Sequence, residues 1–599
     1  MRTILTLCSL PLLGCATILA QGYAELDIND VRARFYANGR ISKDTVQGDA
    51  HFEVPQGSGV SALRTGGIWI SGTTADGQLR LSKIMNDDLA TMDLRPGPLT
   101  NDGMATTTLQ TSMDHDHVWS VTRSEILMHR AYFNCLSDPN CDVSIAFPGG
   151  YTIPQSILDW PAMGPGPGYD LHLAPFLDHD NDGLYEPFAG DAPCILGDQA
   201  LFSVFNDHID TPQGHIPLGI EVKAMPFAYN SAGSAMDATV LVHYHVINRS
   251  TSTYSNVRFG MFNDFDLGCS DNDFIGSDPA RNLVYVYNWV DVDAGCNGVM
   301  GYGEQPPAFG MFLLKGPLLD ATGTDDLPND LLPNWNGVGF GDAIPDNERS
   351  GVTRMMYFVR EGPSAITDPV SAVHFHNYLH GKWKDGRPLT YGGNGYSVDP
   401  NAVEAAFAFP GGDDPVGAGT GGVVQPAWLE TSPTPATPDR RSVMSMGDFT
   451  LEPGEHLDMF FAYVHARAAE GGASASVEAL KARVDSVRSF ANTLPIWLNM
   501  EDEFPVQCIN SATVGIEQPD GNSTLLLAPV PARDLIRLQA TDAMAGAWLR
   551  LCDATGRVVS ELRLTSGVNE IAISGLAPGI YSATVITART RYSGRFVKQ

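Results

Sequence analysis

Residues 238–248 read ATVLVHYHVIN, and the fold class turns on this stretch. Val240, Val242, Tyr244 and Val246 fall on one face and Leu241, His243, His245 and Ile247 on the other, the period of two that belongs to a strand. After a polar RSTSTYS connection, NVRFGMFNDFDLG at 256–268 places Val257, Phe259 and Met261 together. The two stretches are expected to be neighbouring strands of a β-sandwich. Upstream, GGIWISGTTADGQLRLSK at 66–83 reads as a hairpin turning at Asp76-Gly77. Glycine (61) and proline (40) are abundant, and apolar residues mostly alternate. The chain is therefore predicted to be mainly β, with one or more β-sandwich domains.

One segment breaks the alternation. From 474 to 492, Val477, Leu480, Val484, Val487 and Ala491 recur at three and four residues, which predicts an amphipathic helix packed on the last sheet of the body. Ser474 or Ser476 is the expected cap, Lys481 and Asp485 an i,i+4 pair, and Pro495 the stop. PAMGPGPG at 161–168 and the long Gly/Pro/Thr stretch at 412–441 read as surface loops or a subdomain boundary within a β-rich ectodomain, 21–495. No repeat of fixed period is visible. Residues 496–524 turn polar and irregular, as a linker would, before a small terminal domain at 525–599.

The chain has 599 residues with 37 Lys plus Arg against 69 Asp plus Glu, a formal charge of −32, and no basic cluster that tracks a phosphate backbone. Nucleic acid is excluded as a partner on those grounds. Hydrophobic residues at 43% with nine tryptophans mark a folded chain, not a disordered acidic one. Residues 1–20, MRTILTLCSLPLLGCATILA, read as a removable export signal cut near Ala20, with lipidation at Cys15 of LLGC as the alternative. No later run reaches the ~18 apolar residues of a transmembrane helix. Seven cysteines remain after Ala20, and export makes oxidation the default. Cys135 with Cys141 across a turn, and Cys269 with Cys296, are the expected disulfides.

Within 525–599, DLIRLQA, AWLRLCDATGRVVSELRL, NEIAISGLAPGIYSATVI and RYSGRFVKQ alternate between turns, predicting a small Ig-like β-sandwich. Gly556 suits a turn of positive φ, and Pro578-Gly579 a type II turn leading Tyr581 inward. Gly556-Arg557-Val558-Val559, LAPGIY at 576–581 and the closing GRFVKQ at 594–599, in that order, resemble the C-terminal sorting domain (type A) of Bacteroidota proteins exported by the type IX secretion system. The family usually opens on Pro-Asn-Pro; Pro529-Val530-Pro531 stands here. The resemblance implies delivery to the outer cell surface or medium through docking of 525–599 on the secretion translocon. FEVPQGSG (52–59), GGIWISG (66–72), KWKDGRPLTYGGNGY (382–396) and DRR (439–441) give the body a looser resemblance to large exported proteins of unassigned activity.

DHDNDGLYEP at 178–187 is the sharpest chemical motif. Asp178, Asp180 and Asp182 alternate, Gly183 permits a tight bend, the Leu184 carbonyl and Glu186 follow, and Asp191 is placed to close the shell. A hard cation takes six to eight such oxygens, so the motif predicts a calcium loop. Ala189 occupies the position of the bidentate EF-hand glutamate, which excludes that class; a solvated Asp turn is the alternative. A second cluster, Asp264, Asp266, Asp271, Asp273 and Asp278, fits no standard loop and reads either as a metal site or as an exposed acidic connection. His243 with His245, and His374, His376 and His380, are read as exposed polar residues in preference to transition-metal ligands, since no His-Glu-x-x-His is present. There is no Gly-x-Ser-x-Gly elbow and no Walker loop. Trp69, Trp119, Trp289 and Trp383 are expected in the core more than stacked on sugars. The expected function is calcium-stabilised binding or adhesion, toward a glycan or protein; a secreted hydrolase of polysaccharide or protein is the alternative.

Overall fold

The structure is a computed structural model that describes residues 21–492 and 523–598, apart from 45–46, 86–91, 209–213, 333, 431–438, 526, 529–531, 541–543, 545, 553–557, 578 and 587–590. The predicted signal, Cys15, most of the predicted linker, Pro495, Gly556 and Pro578 lie outside the described residues. The chain divides into two compact units, Met1–Ile509 and Asn510–Gln599.

Two large antiparallel sheets form the sandwich of the first unit, beside a three-stranded sheet of Tyr23–Leu26, Arg32–Tyr36 and Phe52–Glu53 and two short two-stranded pairs. In the larger, the order is Asp273–Asp278, Leu283–Asn288, Ala308–Lys315, His456–Ala466, Thr239–Asn248, Ile220–Ala228 and Gln199–Asn206, with Arg95–Pro96 and Trp119–Thr122 both paired to the last. In the smaller it is Arg354–Val359, Arg440–Leu451, Tyr254–Asp264, Thr65–Thr73 and Leu79–Lys83. Thr65–Thr73 and Leu79–Lys83 are the expected hairpin, with Gly77 at φ +81 in its turn. Val240, Val242, Tyr244 and Val246 pack in one core with Val257, Phe259 and Met261. The Phe259 ring lies 6.2 Å from both Tyr244 and Phe461.

That packing corrects one expectation. Thr239–Asn248 and Tyr254–Asp264 are neighbours through the sandwich, not along a sheet; the polar connection between them carries the chain from one layer to the other. The physical reason is that Thr239–Asn248 is buried on both faces over all ten residues. Its second face, through Leu241, joins another core with Val477, Leu480, Val484 and Val487 of the helix Gly472–Ala491.

The helix has the predicted apolar stripe but neither the predicted cap nor the predicted pair. Gly471 precedes it without a side-chain cap, and Asp291 Oδ1 accepts from the Ala473 amide at 3.0 Å. Gly472, at φ +74, admits this approach, because a Cβ there would stand 1.9 Å from that oxygen. Ser476 is spent on the Pro306 carbonyl and the Ala468 amide. Lys481 reaches Asp413 at 2.7 Å, while Asp485 takes both ends of the Arg281 guanidinium. Lys481 also keeps a local contact with Glu478 at 3.3 Å, so the expected i,i+4 pair is replaced by one local and two tertiary partners. The Cys135–Cys141 and Cys269–Cys296 disulfides form as expected, with Cα separations of 5.2 and 5.3 Å.

The second unit is a small sandwich. One sheet runs Ser523–Thr524, Arg591–Lys598, Gly579–Ile586, Trp548–Cys552 and Val558–Arg563; the other runs Leu527–Ala528, Leu535–Ala540 and Gly567–Ala572. Ile536, Leu538, Leu549, Leu551, Ala583 and Val585 fill its core. Tyr581 points inward, its hydroxyl donating to the Ala577 carbonyl at 2.8 Å. The fold is mainly β throughout, as the alternation predicts.

Because Asp291 caps the long helix from a distance, Asp291→Ala is expected to cost about 1 kcal/mol in urea unfolding. Ser474→Ala, at an exposed position, is expected to change stability by less than about 0.5 kcal/mol. Equal losses would return the cap to Ser474.

Candidate metal centre

The loop at 178–191 is built by backbone amides on carboxylates. Asp178 accepts from the amides of Asn181 (2.6 Å), Asp182 (3.3 Å) and Gly183 (2.8 Å). Asn181 and Gly183 both take positive φ, +64 and +81, which coils the chain tightly around that side chain. One oxygen from each of Asp178, Asp180 and Asp182 falls within 4.8 Å of the others, and the last two are exposed. Asp191 is fully buried and does not join them: its oxygens accept from the His179 and Glu186 amides, both at 2.7 Å, and staple the loop shut. Burial, with the charges of Asp178 and Asp180, pushes its carboxyl above the ordinary range. The Leu184 amide donates to Asp182, and Glu186 is exposed at the start of a 3-10 turn.

The second cluster separates. Asp264 and Asp266 stay together and are joined by Asp439, one oxygen from each lying within 4.8 Å of the other two. Asp264 closes the strand Tyr254–Asp264 opposite Arg441, whose guanidinium donates to Asp264 (3.2 Å), Asp368 (2.5 Å) and Asp439 (3.0 Å). Four aspartates thus surround one arginine, with Arg64 close enough to act on Asp266. Oδ1 of Asp266, Asp368 and Asp439 is buried in each case without a hydrogen-bond partner among the described residues. Burial, then the charges of Asp264 and Asp439, push the Asp266 carboxyl well above the ordinary range against the pull of Arg64 and Arg441. Arrangements of this kind are costly unless protonated or bridged by a cation. The side chains of Asp368 and Asp439 keep 29% and 15% of their exposure, so an ion has a way in. An all-oxygen donor set suits calcium or magnesium.

The other three members lie elsewhere. Asp271 is exposed and accepts from Asn297 beside the Cys269–Cys296 disulfide, whose sulfurs are not free to ligate. Asp273 is buried and accepts from the Leu267 amide at 3.0 Å. Asp278 caps a 3-10 turn and is paired with Arg281 at 2.8 Å. Sequence reading missed Asp439 and Asp368 as companions of Asp266, although DRR at 439–441 stood out for another reason.

The histidines correct a further expectation. His243 and His245 are 7% and 8% exposed and share Asp458 across the strand pair, at 2.6 and 3.0 Å. Burial opposes ionisation of Asp458, but the two imidazoles hold its carboxyl well below the ordinary range. On the helix Ala372–Leu379 and its cap, the His376 and His380 rings lie 4.0 Å apart at a tilt of 42°, while His374 turns back to the Val370 amide. Ser71 Oγ lies 3.0 Å from His376 Nδ1, the spacing of a nucleophile and its base. Ser71 is fully buried, however, and no carboxylate is bonded to the His376 ring among the described residues. Trp69 and Trp383 are core residues at 0% exposure, Trp119 is half-buried, and Trp289 is exposed.

A carboxyl raised by folding contributes most to stability below the ordinary carboxylate range and loses that contribution as pH climbs through its raised value. In chelator, Asp266→Asn is therefore expected to gain on the native chain as pH rises from about 4 to about 8, read by urea unfolding at each pH. Parallel curves would place the Asp266 carboxylate in water.

Among solved structures, a polysaccharide lyase aligns at TM-score 0.17 and 6% identity, covering 67% of this chain and 35% of its own. The CBM51-2 and INT domains of Clostridium perfringens ZmpB align at 0.11 and 10% identity, covering 70% of this chain and 97% of theirs. The chain thus spans about a third of the lyase's length, and at these scores neither neighbour bears on activity. No curated protein matches. Among the described residues no helix is long and apolar enough to cross a membrane. Residues 527–599, which include the strands of the small sandwich from Leu527 onward, match the family of secretion system C-terminal sorting domains. This tail is the sorting domain of the type IX secretion system, and the protein that carries it is exported, to be secreted or held at the outer cell surface.

Proposed function

We propose that the body of this exported protein is a calcium-stabilised binding or adhesion module, directed to a glycan or protein. The observation that carries the reading is the group of unsatisfied carboxylate oxygens of Asp266, Asp368 and Asp439 beside Asp264. A divalent ion there offsets the repulsion that remains beside Arg441 and Arg64, and fixes the ends of two strands of the smaller sheet. Asp178, Asp180 and Asp182, with the Leu184 carbonyl and Glu186, are the candidate ligands of a second ion. Asp191 serves the loop as a staple.

A hydrolase of polysaccharide or protein is the second reading. The 3.0 Å contact of Ser71 with His376 favours it, and the complete burial of Ser71 weighs against it. A turnover panel of polysaccharides and peptides decides between them: hydrolysis lost in Ser71→Ala would replace the binding reading.

Extracellular calcium modules bind in the ~0.1–1 mM range. Calcium at about 1 mM is therefore expected to raise stability by about 0.4–1.4 kcal/mol per occupied site, read in thermal melts against chelator. Asp180→Asn is expected to remove the contribution of the loop, and Asp439→Asn that of the nest. A melting midpoint indifferent to calcium in the native chain would overturn the proposal.

A further inference from the structure

Beside the end of the helix Ala372–Leu379, which covers the outer face of the smaller sheet through Phe375 on Trp69 and Leu379 on Gly260, lies a cluster of opposite character. Along Tyr254–Asp264 and Arg440–Leu451 the register slips between Val257–Phe449 and Phe259–Met446, which leaves Gly447 and Asp448 opposite Arg258. This is a β-bulge, and bulges re-aim side chains. Gly447 has φ +123, and a Cβ on it would meet the Val257 carbonyl at 2.5 Å, so the bulge needs glycine there. Its effect is to hold Asp448 outward, 48% exposed, with Oδ1 taken by Arg258 at 2.7 Å and lying 3.4 Å from His380 Nε2. Arg258 is braced from behind by Thr353 Oγ1 at 3.0 Å. His376 and His380 lean over the same spot from the end of the helix Ala372–Leu379.

Arg354, at the start of the neighbouring strand, completes the group. Its guanidinium packs against Gly381 and donates to the Thr353 carbonyl, yet no carboxylate lies within ion-pairing distance of it among the described residues. Lys382, exposed beside it, is likewise unpaired there. Burial and then the like charge of Arg258 lower the Arg354 pKa to about 10; Asp448 and, more weakly, Glu404 oppose this. Burial, with His380, Lys382 and Arg258, takes His376 down to about 4. Arg258 and His380 thus contact Asp448, with Arg354, Lys382 and His376 around them, in a chain whose formal charge is −32. A guanidinium beside like charge without a counter-ion is stabilised by an incoming anion, and its planar fork matches an oxyanion.

We propose that Arg354, Arg258, Lys382, His376 and His380, arranged around Asp448, form a binding site for a single oxyanion, a carboxylate, sulfate or phosphate group. The site is separate from the acidic clusters and does not depend on calcium. Asp448 occupies part of it as an internal competitor, holding Arg258 in place.

Isothermal titration of the purified protein with sodium sulfate, inorganic phosphate and sodium glucuronate tests this, at neutral pH and at ionic strength fixed with sodium chloride. One-to-one saturable binding of at least one of the three is expected, with and without chelator. Glucuronate as the tightest ligand assigns the site to acidic sugars, and sulfate or phosphate as the tightest to inorganic or ester oxyanions. Arg354→Met is expected to weaken binding about tenfold, the scale of one charge-assisted pair. Lys382→Met, at an exposed position where folding is not at stake, is expected to weaken it by about threefold. Asp448→Asn is expected to tighten it. No saturable heat from any of the three anions, or affinity unchanged in both Arg354→Met and Lys382→Met, would overturn the proposal.

Discussion

Burial of both faces of Thr239–Asn248 constrains everything packed around it. A strand with water on one side needs only one core; this one needs two, and the chain supplies them from different places. The inter-sheet core draws on Tyr254–Asp264 and Thr65–Thr73, while the outer core draws on the helix Gly472–Ala491. The same constraint explains His243 and His245. Once covered, their imidazoles need partners, and Asp458, opposite His245 in the ladder, satisfies both.

What the sequence made legible was what is local. Alternation named the strands, the Asp-Gly pair named the hairpin turn, and the three-four spacing named the stripe of the long helix down to Ala491. Each depends on residues a few positions apart, where backbone geometry alone decides which side chains share a face. The helix cap was not legible, because Asp291 arrives from a segment far from Ala473 and takes the place of a local serine of similar capping preference. Nor was the layer assignment of Tyr254–Asp264, since a polar seven-residue connection serves a turn or a crossover equally well.

The candidate site divides on the same line. Asp178, Asp180 and Asp182 converge because their neighbours' amides coil the loop, and those amides lie within five residues of Asp178. Asp264 and Asp266 meet Asp439 only because the strands Tyr254–Asp264 and Arg440–Leu451 pair with Asp264 opposite Arg441. Strand register is set by the whole sheet. Asp271, in the 3-10 turn Ser270–Asn272, and Asp278, at the far end of the strand Asp273–Asp278, are close to Asp266 in sequence but bonded instead to Asn297 and Arg281.

The two acidic sites therefore stand in different energetic positions. In the loop, Asp178 already accepts three amide hydrogen bonds and the exposed Asp180 and Asp182 keep their hydration, so the geometry persists with or without an ion. There an ion gains from a preformed cage and changes the fold little. The nest around Arg441 is the reverse. Oδ1 of Asp266, Asp368 and Asp439 is buried without a donor among the described residues, and the Arg441 guanidinium is shared among Asp264, Asp368 and Asp439. Protonating Asp266 would relieve the same strain as the cation proposed above, so under that proposal the two compete and proton release accompanies metal uptake. On that reading the nest, more than the loop, couples the medium to the hold of the smaller sheet.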